Sequence, residues 1–328
     1  MRFKRLLVTG GSGFIGSSFI RMGLTLPCER IVNLDLLTYA ADVRNLMGCE
    51  NDARYRFVQG DVCDTALIEA ICLEEQVEAI VHFAAETHVD RSITGPLPFF
   101  RTNVQGTLSL LEVLRAHPLL HLHHISTDEV YGSQDEGAFS ERSPYRPNSP
   151  YAASKAASDH CVRAYAHTYG VKATVSHCGN NYGPGQNAEK FLPHMLSKLL
   201  NGQPLPIYGQ GINVRDWIFV DDHSEAVWMI LEKGKSGEVY DIGGECQLRN
   251  LDAVHQLIDA FQEQTQEDVH RLRSLIHFVA DRPGHDLRYA IDTTKIQREI
   301  GWRPAHTFPV GLNKTVSWYL DHKERLMV

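Results

Sequence analysis

Short, nearly continuous apolar runs recur through the first half of the chain. They are RLLVTG (5–10), RIVNLD (30–35), YRFVQGD (55–61), AIVHFAA (79–85), LHHIST (122–127) and KATVSHC (172–178). Between several of them lie stretches with helical spacing, such as DTALIEAICLEEQ and NVQGTLSLLEVLRAH. Strands apolar on both faces, alternating with helices, predict an α/β fold with a doubly wound parallel sheet covered on each side. After about residue 180 the rhythm breaks at GNNYGPGQ (179–186), and the later elements are shorter and less regular. One domain is therefore expected over 1–180, and a smaller mixed α/β substrate-binding domain over 181–328. RDWIFVDDHSEAVWMILEKG again reads strand, turn, helix, so about 213–235 is expected to rejoin the first domain.

Composition narrows the function. Hydrophobic residues make up 43% and charged residues 22%, ordinary for a globular protein. A formal net charge of -8 argues against a dedicated nucleic-acid binder, while leaving room for a local basic pocket. The seven cysteines are dispersed, with no CxxC pair, which suggests reduced thiols in the cytoplasm rather than a disulfide framework. The start runs directly into a strand-and-glycine turn, and no stretch approaches a membrane-spanning length, so no membrane partner is expected. His117, His121, His123 and His124 cluster in sequence, but they straddle a loop and a buried strand without carboxylate or cysteine at useful spacing. No metal is expected there.

VTGGSGFIG (8–16) sets Gly10, Gly13 and Gly16 at GxxGxxG spacing between a strand and an amphipathic helix. Glycines let backbone approach a pyrophosphate, and the helix N-terminus that holds Phe14 and Ile15 offers free N–H groups. A second strand ends at Asp35, about 20 residues on, where a carboxylate can bind ribose hydroxyls and repel a 2′-phosphate. This points to a Rossmann-type domain that takes NAD rather than NADP. GDV (60–62) places Asp61 and Val62 at the end of the third strand, towards the adenine. FAAET (83–87) ends the fourth strand with small residues, Ala84 and Ala85, where a cofactor can lie close.

PYAASK (150–155) puts Tyr151 and Lys155 one helical turn apart, so an ammonium can share a face with the phenol. A neighbouring cation favours the phenolate and makes it a usable base. STDEVYG (126–132) sets Asp128 and Glu129 side by side where a strand gives way to a loop. On their own, adjacent acids there read as a solvated turn.

Together, the glycine triplet, Asp35 and the Tyr151/Lys155 pair resemble the extended short-chain dehydrogenase/reductase superfamily. Within it, FAAETHVDRS, STDEVYG, NNYGP, LPIYGQGINVRDWIFVDDH and ADRPGHDLRYAID resemble the dTDP-glucose 4,6-dehydratase family over nearly the whole chain. The resemblance implies a hydro-lyase that oxidises the sugar C4, eliminates water across C5 and C6, and returns hydride to C6. It implies Tyr151 as the base for oxidation, with Lys155 beside it, and Thr127 as hydrogen-bonding partner of the C4 oxygen. It implies Asp128 as the acid and Glu129 as the C5 base, at opposite protonation states. It adds Thr102 and Asn181 to the NAD site. Around a nucleotide-sugar substrate it places Thr87, Asn180, Lys190, Phe191, Pro206, Ile207, Tyr208, Arg215, Asn250, Arg282 and His285. Gly185, Ala188 and Phe191 depart from the family's usual residues. A homodimer is also implied, formed by two long helices of each subunit, one carrying Ala157, Cys161 and Ala164. Epimerases, UDP-sugar dehydratases and a non-catalytic NAD-binding sensor are the competing readings on this fold.

Overall fold

The structure, a computed structural model, describes residues 1–281 and 284–326. Seven parallel strands form the main sheet: β1 (Arg5–Thr9), β2 (Arg30–Asp35), β3 (Tyr55–Gln59), β4 (Ala79–His82), β5 (His121–Thr127), β6 (Lys172–Cys178) and β10 (Val239–Ile242). Their order is β10-β6-β5-β4-β1-β2-β3. The order reverses between β1 and β4, and in such sheets ligands bind outside the carboxyl ends of the strands at that reversal.

The central strands carry the core because both their faces are covered. Leu6, Leu7 and Val8 of β1 are fully buried, as are Ile80 and Val81 of β4. On one face the strands pack with helix Phe14–Thr25, helix Val220–Lys233 and helix Thr294–Ile300. On the other lie helices Thr65–Glu74, Gly106–Ala116 and Pro150–Tyr169. This is the doubly wound sheet that the apolar runs predicted.

Two of the differences from the expected elements bear on the site. The fourth run was expected to stay extended to residue 85, yet β4 stops at His82, and Phe83–Thr87 leave the ladder to line a cavity. The helix expected from Asn103 is preceded by a π-helical turn over Phe100–Gln105. That turn aims Asn103 inward, where its amide donates to Ser154 Oγ at 2.8 Å and to Glu86 O at 3.1 Å. Wide turns of this kind are frequent at functional sites.

The stretch after residue 180 distributes between two cores. Helix Val220–Lys233 packs on helix Phe14–Thr25, with Trp228 stacked on Phe19 at 4.4 Å. The strand before it, β9 (Val214–Phe219), instead pairs with β7 (Asn180–Tyr182) and β11 (Gln247–Arg249) in a separate three-stranded sheet. β8 (Leu205–Tyr208) and β12 (Ile276–Val279) form a two-stranded sheet. β10 and helix Thr294–Ile300 attach to the main sheet and its core, although they lie within 181–328. A further core gathers around helices Phe191–Leu200, Asn250–Thr265 and Phe308–Asp321. Ala188, one of the departures, is buried in it. Gly185 has φ +83°, and a Cβ there would come within 2.6 Å of Asn45 Oδ1, so a bulkier residue would displace that side chain. Among the described residues no helix is long and apolar enough to cross a membrane.

Candidate active site

The cavity opens where the strand order reverses and measures about 310 Å³, within the range of ligand sites. Its walls are the loops that follow β1 to β6. Gly10 closes the first of them at φ +70°, and a Cβ there would lie 2.5 Å from Ala84 N. A Cβ on Gly16 would lie 2.4 Å from Gly10 O, so only glycine lets the helix start this close to the strand end. The N-cap of that helix, Gly13, offers no side-chain cap, leaving the N–H groups of the first turn to face the cavity beside Phe14 and Ile15. An uncapped helix N-terminus is a ready site for a pyrophosphate.

Asp35 ends β2 and is buried. Its Oδ2 accepts from Ser12 N at 2.9 Å and its Oδ1 from Leu37 N at 2.8 Å. Burial raises its carboxyl above the ordinary value, and the two amides partly offset that. Each oxygen keeps lone-pair capacity for a ribose hydroxyl. Asp61 accepts from Cys63 N at 2.8 Å and from Arg101 at 2.6 Å. Burial opposes its charge, but these two donors outweigh it and hold the carboxyl low. Val62, Ala84, Ala85, Thr102 and Asn181 complete this end of the cavity. These donors, acceptors and small residues fit a dinucleotide.

At the other end β5 delivers the acidic pair. Thr127 caps the single turn Asp128–Tyr131, its Oγ1 accepting from Glu129 N at 3.3 Å and donating to Asp128 Oδ1 at 3.3 Å. The neighbouring acids differ sharply in surroundings. Asp128 is 2% exposed, and its Oδ2 has no hydrogen-bond partner among the described residues, whereas Glu129 is half-buried. Burial pushes the Asp128 carboxyl well above its ordinary value, and Glu129 and Asp216 push it further. A solvated turn would not do this.

Tyr151 and Lys155 line the same cavity from helix Pro150–Tyr169, which starts at Ser149, whose Oγ accepts from Ala152 N at 3.1 Å. The expectation that Lys155 lowers the phenol's pKa is corrected here. Burial, then Glu129 and Cys178, push Tyr151 well above its ordinary value. Lys155 Nζ instead donates to Ile125 O at 2.7 Å, and burial lowers its own pKa. Helical spacing predicted the shared face but not the carbonyl that captures the ammonium.

The expected substrate residues divide into two groups. Thr87, Asn180 and Lys190 line the cavity, with Lys190 Nζ donating to Thr87 Oγ1 at 3.3 Å. The other described ones lie outside its walls. Phe191 packs against Trp217, with ring centroids 6.0 Å apart, and Ile207 is fully buried in the core beside it. Pro206 and Tyr208 flank Ile207 on β8, and Tyr208 meets the His285 ring edge-on at 6.0 Å. Arg215 is buried on β9, donates to Val214 O and Asp286 O, and lies 4.3 Å above the Tyr289 ring. Asn250 begins helix Asn250–Thr265, and His285 Nδ1 sits 2.6 Å from Asp281 Oδ1. Arg282 lies outside the described residues. Cys178, Ser126 and Glu86 also line the cavity. They were not anticipated, though their places at or just past strand ends on the binding edge were a readable signal.

The sequence matches the GDP-mannose 4,6 dehydratase family over residues 7–315. It is 48% identical over 328 residues to the dTDP-glucose 4,6-dehydratase of Xanthomonas campestris, covering 97% of this chain and 93% of that protein. The chain belongs to the dTDP-glucose 4,6-dehydratase family. The dTDP-glucose 4,6-dehydratase of Haemophilus influenzae is likewise 48% identical, covering 96% of this chain and 97% of that one. Among solved structures, DesIV, the dTDP-glucose 4,6-dehydratase from Streptomyces venezuelae with NAD and TYD bound, superposes with a TM-score of 0.92. It is 47% identical and covers 98% of both chains. A UDP-glucose 4-epimerase from Thermotoga maritima, 28% identical, still reaches a TM-score of 0.86 over 97% of this chain and 99% of its own. The fold alone therefore does not separate dehydration from epimerisation, and the acidic pair has to.

Proposed function

We propose that this dehydratase-family chain converts dTDP-glucose to dTDP-4-keto-6-deoxy-glucose with NAD as its resident cofactor. One observation carries the mechanism: two adjacent acids in one cavity, one buried and pushed towards its protonated form, the other half-buried. A 4,6-elimination needs such a pair, because one group must give a proton while its neighbour takes one.

Bound NAD supplies the oxidising power at C4 and the hydride that finally reaches C6. The glycine turn, the uncapped helix start and Asp35 hold it. Thr127 and Tyr151 address the C4 hydroxyl, and Tyr151 takes its proton in the phenolate form, the minor form that its burial disfavours. The resulting ketone acidifies the C5 hydrogen, which Glu129 removes. The C6 hydroxyl leaves as water with the proton from Asp128. Atoms balance: the sugar loses one water between C5 and C6. Lys190, Asn180 and Thr87 would meet the substrate within the cavity, and Pro206, Ile207, Tyr208, Arg215 and Asn250, on β8, β9 and the start of helix Asn250–Thr265, would extend its site beyond it. Turnover of dTDP-glucose, followed by mass as loss of water, should far exceed that of UDP-glucose. Equal rates would overturn the nucleobase assignment.

Asp35 should enforce the cofactor. Its buried carboxylate repels a 2′-phosphate, so reconstitution with NADP in place of NAD is expected to restore little activity. Full activity with NADP alone would refute that role.

The assembly is a homodimer in this reading, and the cytoplasm is its compartment, in keeping with seven free thiols. The turns that contact helix Pro150–Tyr169 expose Leu97 at 80% and Phe100 at 41%, and along the helix itself Ala157 and Cys161 are half-buried and Ala164 exposed. Light scattering at micromolar concentration should give a dimer, and Leu97→Asp should shift it towards monomer. A monomeric unmutated protein would reject the dimer.

A further inference from the structure

Behind the catalytic turn lies a buried polar cluster that the chemistry above does not use. Its centre is His177 on β6. Nδ1 lies 2.9 Å from Asp241 Oδ1 and 2.8 Å from the Tyr131 hydroxyl. Nε2 lies 3.1 Å from Asp159 Oδ2 and 2.8 Å from the Tyr145 hydroxyl. The phenols are themselves committed: Tyr131 donates to Asp241 Oδ1 at 2.9 Å, and Tyr145 to Asp159 Oδ2 at 3.1 Å. Each ring nitrogen therefore faces only lone pairs. A neutral imidazole has one acceptor nitrogen, which would oppose a carboxylate and a phenol oxygen. With both carboxylates ionised and both phenols donating to them, only an imidazolium, a donor at both positions, satisfies every contact.

The cluster reaches the active site by two routes. Tyr131 is the last residue of the Asp128–Tyr131 turn, so its hydroxyl fixes the far end of the acidic pair's own turn. Asp159 stands one helical turn beyond Lys155 on the Tyr151 helix and also accepts from Ser126 Oγ at 2.8 Å, one residue before Thr127. Resting on the dehydratase reading, we propose that His177, as an imidazolium between Asp159 and Asp241, is a positioning residue that holds the Asp128–Glu129 turn against the Tyr151 helix.

Of the two carboxylates, Asp159 is the one that most favours the charged ring. Burial by itself would lower the His177 pKa, but the bonds to Asp159 and Asp241 lift it to about 9. Asp159 is held low, burial opposing and His124 and His177 prevailing, while burial keeps Asp241 high. From β5, His124 Nε2 faces Asp159 at 3.1 Å, its own pKa lowered by burial to about 4. Glu141 accepts from Asp241 N, Lys295 lies near enough to act on Asp241, and His160 packs against Tyr145.

The test uses the intact holoenzyme and compares His177→Asn, Tyr131→Phe and the double variant. Displacing a catalytic group by about 1 Å costs on the order of 10²-fold in rate. Each single variant should therefore lose about 10- to 100-fold in kcat with KM little changed, and the double variant should be no worse than the poorer single. As pH rises through about 9 the unmutated enzyme should lose activity along a limb that His177→Asn lacks. Both His177 ring nitrogens should be protonated at neutral pH by nitrogen NMR, a readout that needs no turnover. Single variants within twofold of normal kcat, losses that multiply in the double variant, or a neutral ring would each overturn the proposal. Should His177→Asn fail to fold, Tyr131→Phe and the NMR state decide. Turnover of dTDP-glucose by the unmutated protein in the same assay tests the dehydratase reading separately.

Discussion

Asp128→Asn is expected to lower kcat on dTDP-glucose by about 10² to 10⁴-fold, the usual cost of losing general-acid help. The amide matches the carboxylic acid in shape, so Thr127 keeps a partner, yet it has no proton to give a departing hydroxide. The loss should shrink for an analogue whose C6 hydroxyl is replaced by fluoride, which leaves with less need of protonation. Equal impairment on both substrates would remove the acid role. The same variant should be more stable than the unmutated protein at neutral pH. Burial raises the Asp128 carboxyl well above its ordinary value. Between its unfolded pKa of about 3.9 and that raised value the native state binds more protons, so its stability falls as pH rises. Asparagine carries no such cost, and the gap in melting temperature should widen from about pH 4 to neutral. A variant that melts lower at every pH would show that the carboxylic acid is not held protonated by its surroundings.

Tyr151→Phe and Glu129→Gln should fail at different steps. Without the phenol, C4 oxidation stops, and exchange of the C5 hydrogen stops with it, because the ketone that acidifies C5 never forms. Glu129→Gln keeps the phenol, so oxidation should remain detectable while C5 exchange slows by about 10² to 10⁴-fold. A second effect follows from charge. Glu129 is one of the groups that hold the Tyr151 phenol above its ordinary value, after burial. Removing that negative charge favours the phenolate, so C4 oxidation in Glu129→Gln should reach its alkaline plateau at lower pH than in the unmutated enzyme. Identical loss of oxidation in both variants would mean that the two residues do not have separate tasks.

The readable parts of this molecule were those encoded locally. β2 and β6 end where their apolar runs end, and Gly10, Gly13 and Gly16 are where backbone approaches backbone. Those signals depend on neighbours in sequence, and they placed the cavity's cofactor end and the Tyr151 helix. The difference between Asp128 and Glu129 was not readable from the chain. It arises because the turn buries one side chain within electrostatic reach of Asp216 and Arg215, residues far away in sequence. For the same reason β10 was missed as a strand of the main sheet, since its four residues pair with β6 across a long connection. Lys155 shows the limit from the other side: helical spacing put it one turn from Tyr151, but the Ile125 carbonyl that holds it belongs to β5. The histidines of β5 were likewise unplaced by the chain alone. His121 and His123 are buried and meet Thr174 Oγ1 at 3.2 and 2.9 Å, contacts that depend on the β5–β6 register.

The proposed function requires that one cavity couple oxidation at C4 to loss of water across C5 and C6 through two neighbouring acids. Incubating the protein with dTDP-glucose in deuterium oxide and measuring the product by mass and proton NMR addresses it most directly. The expected product is a 4-keto-6-deoxy sugar that has lost one water, with solvent deuterium entering through the C5 proton transfer and the original C4 hydrogen carried to C6. A product of unchanged mass with inverted C4 would make the chain an epimerase. A 4-keto sugar that keeps its C6 hydroxyl would contradict the roles of Asp128 and Glu129.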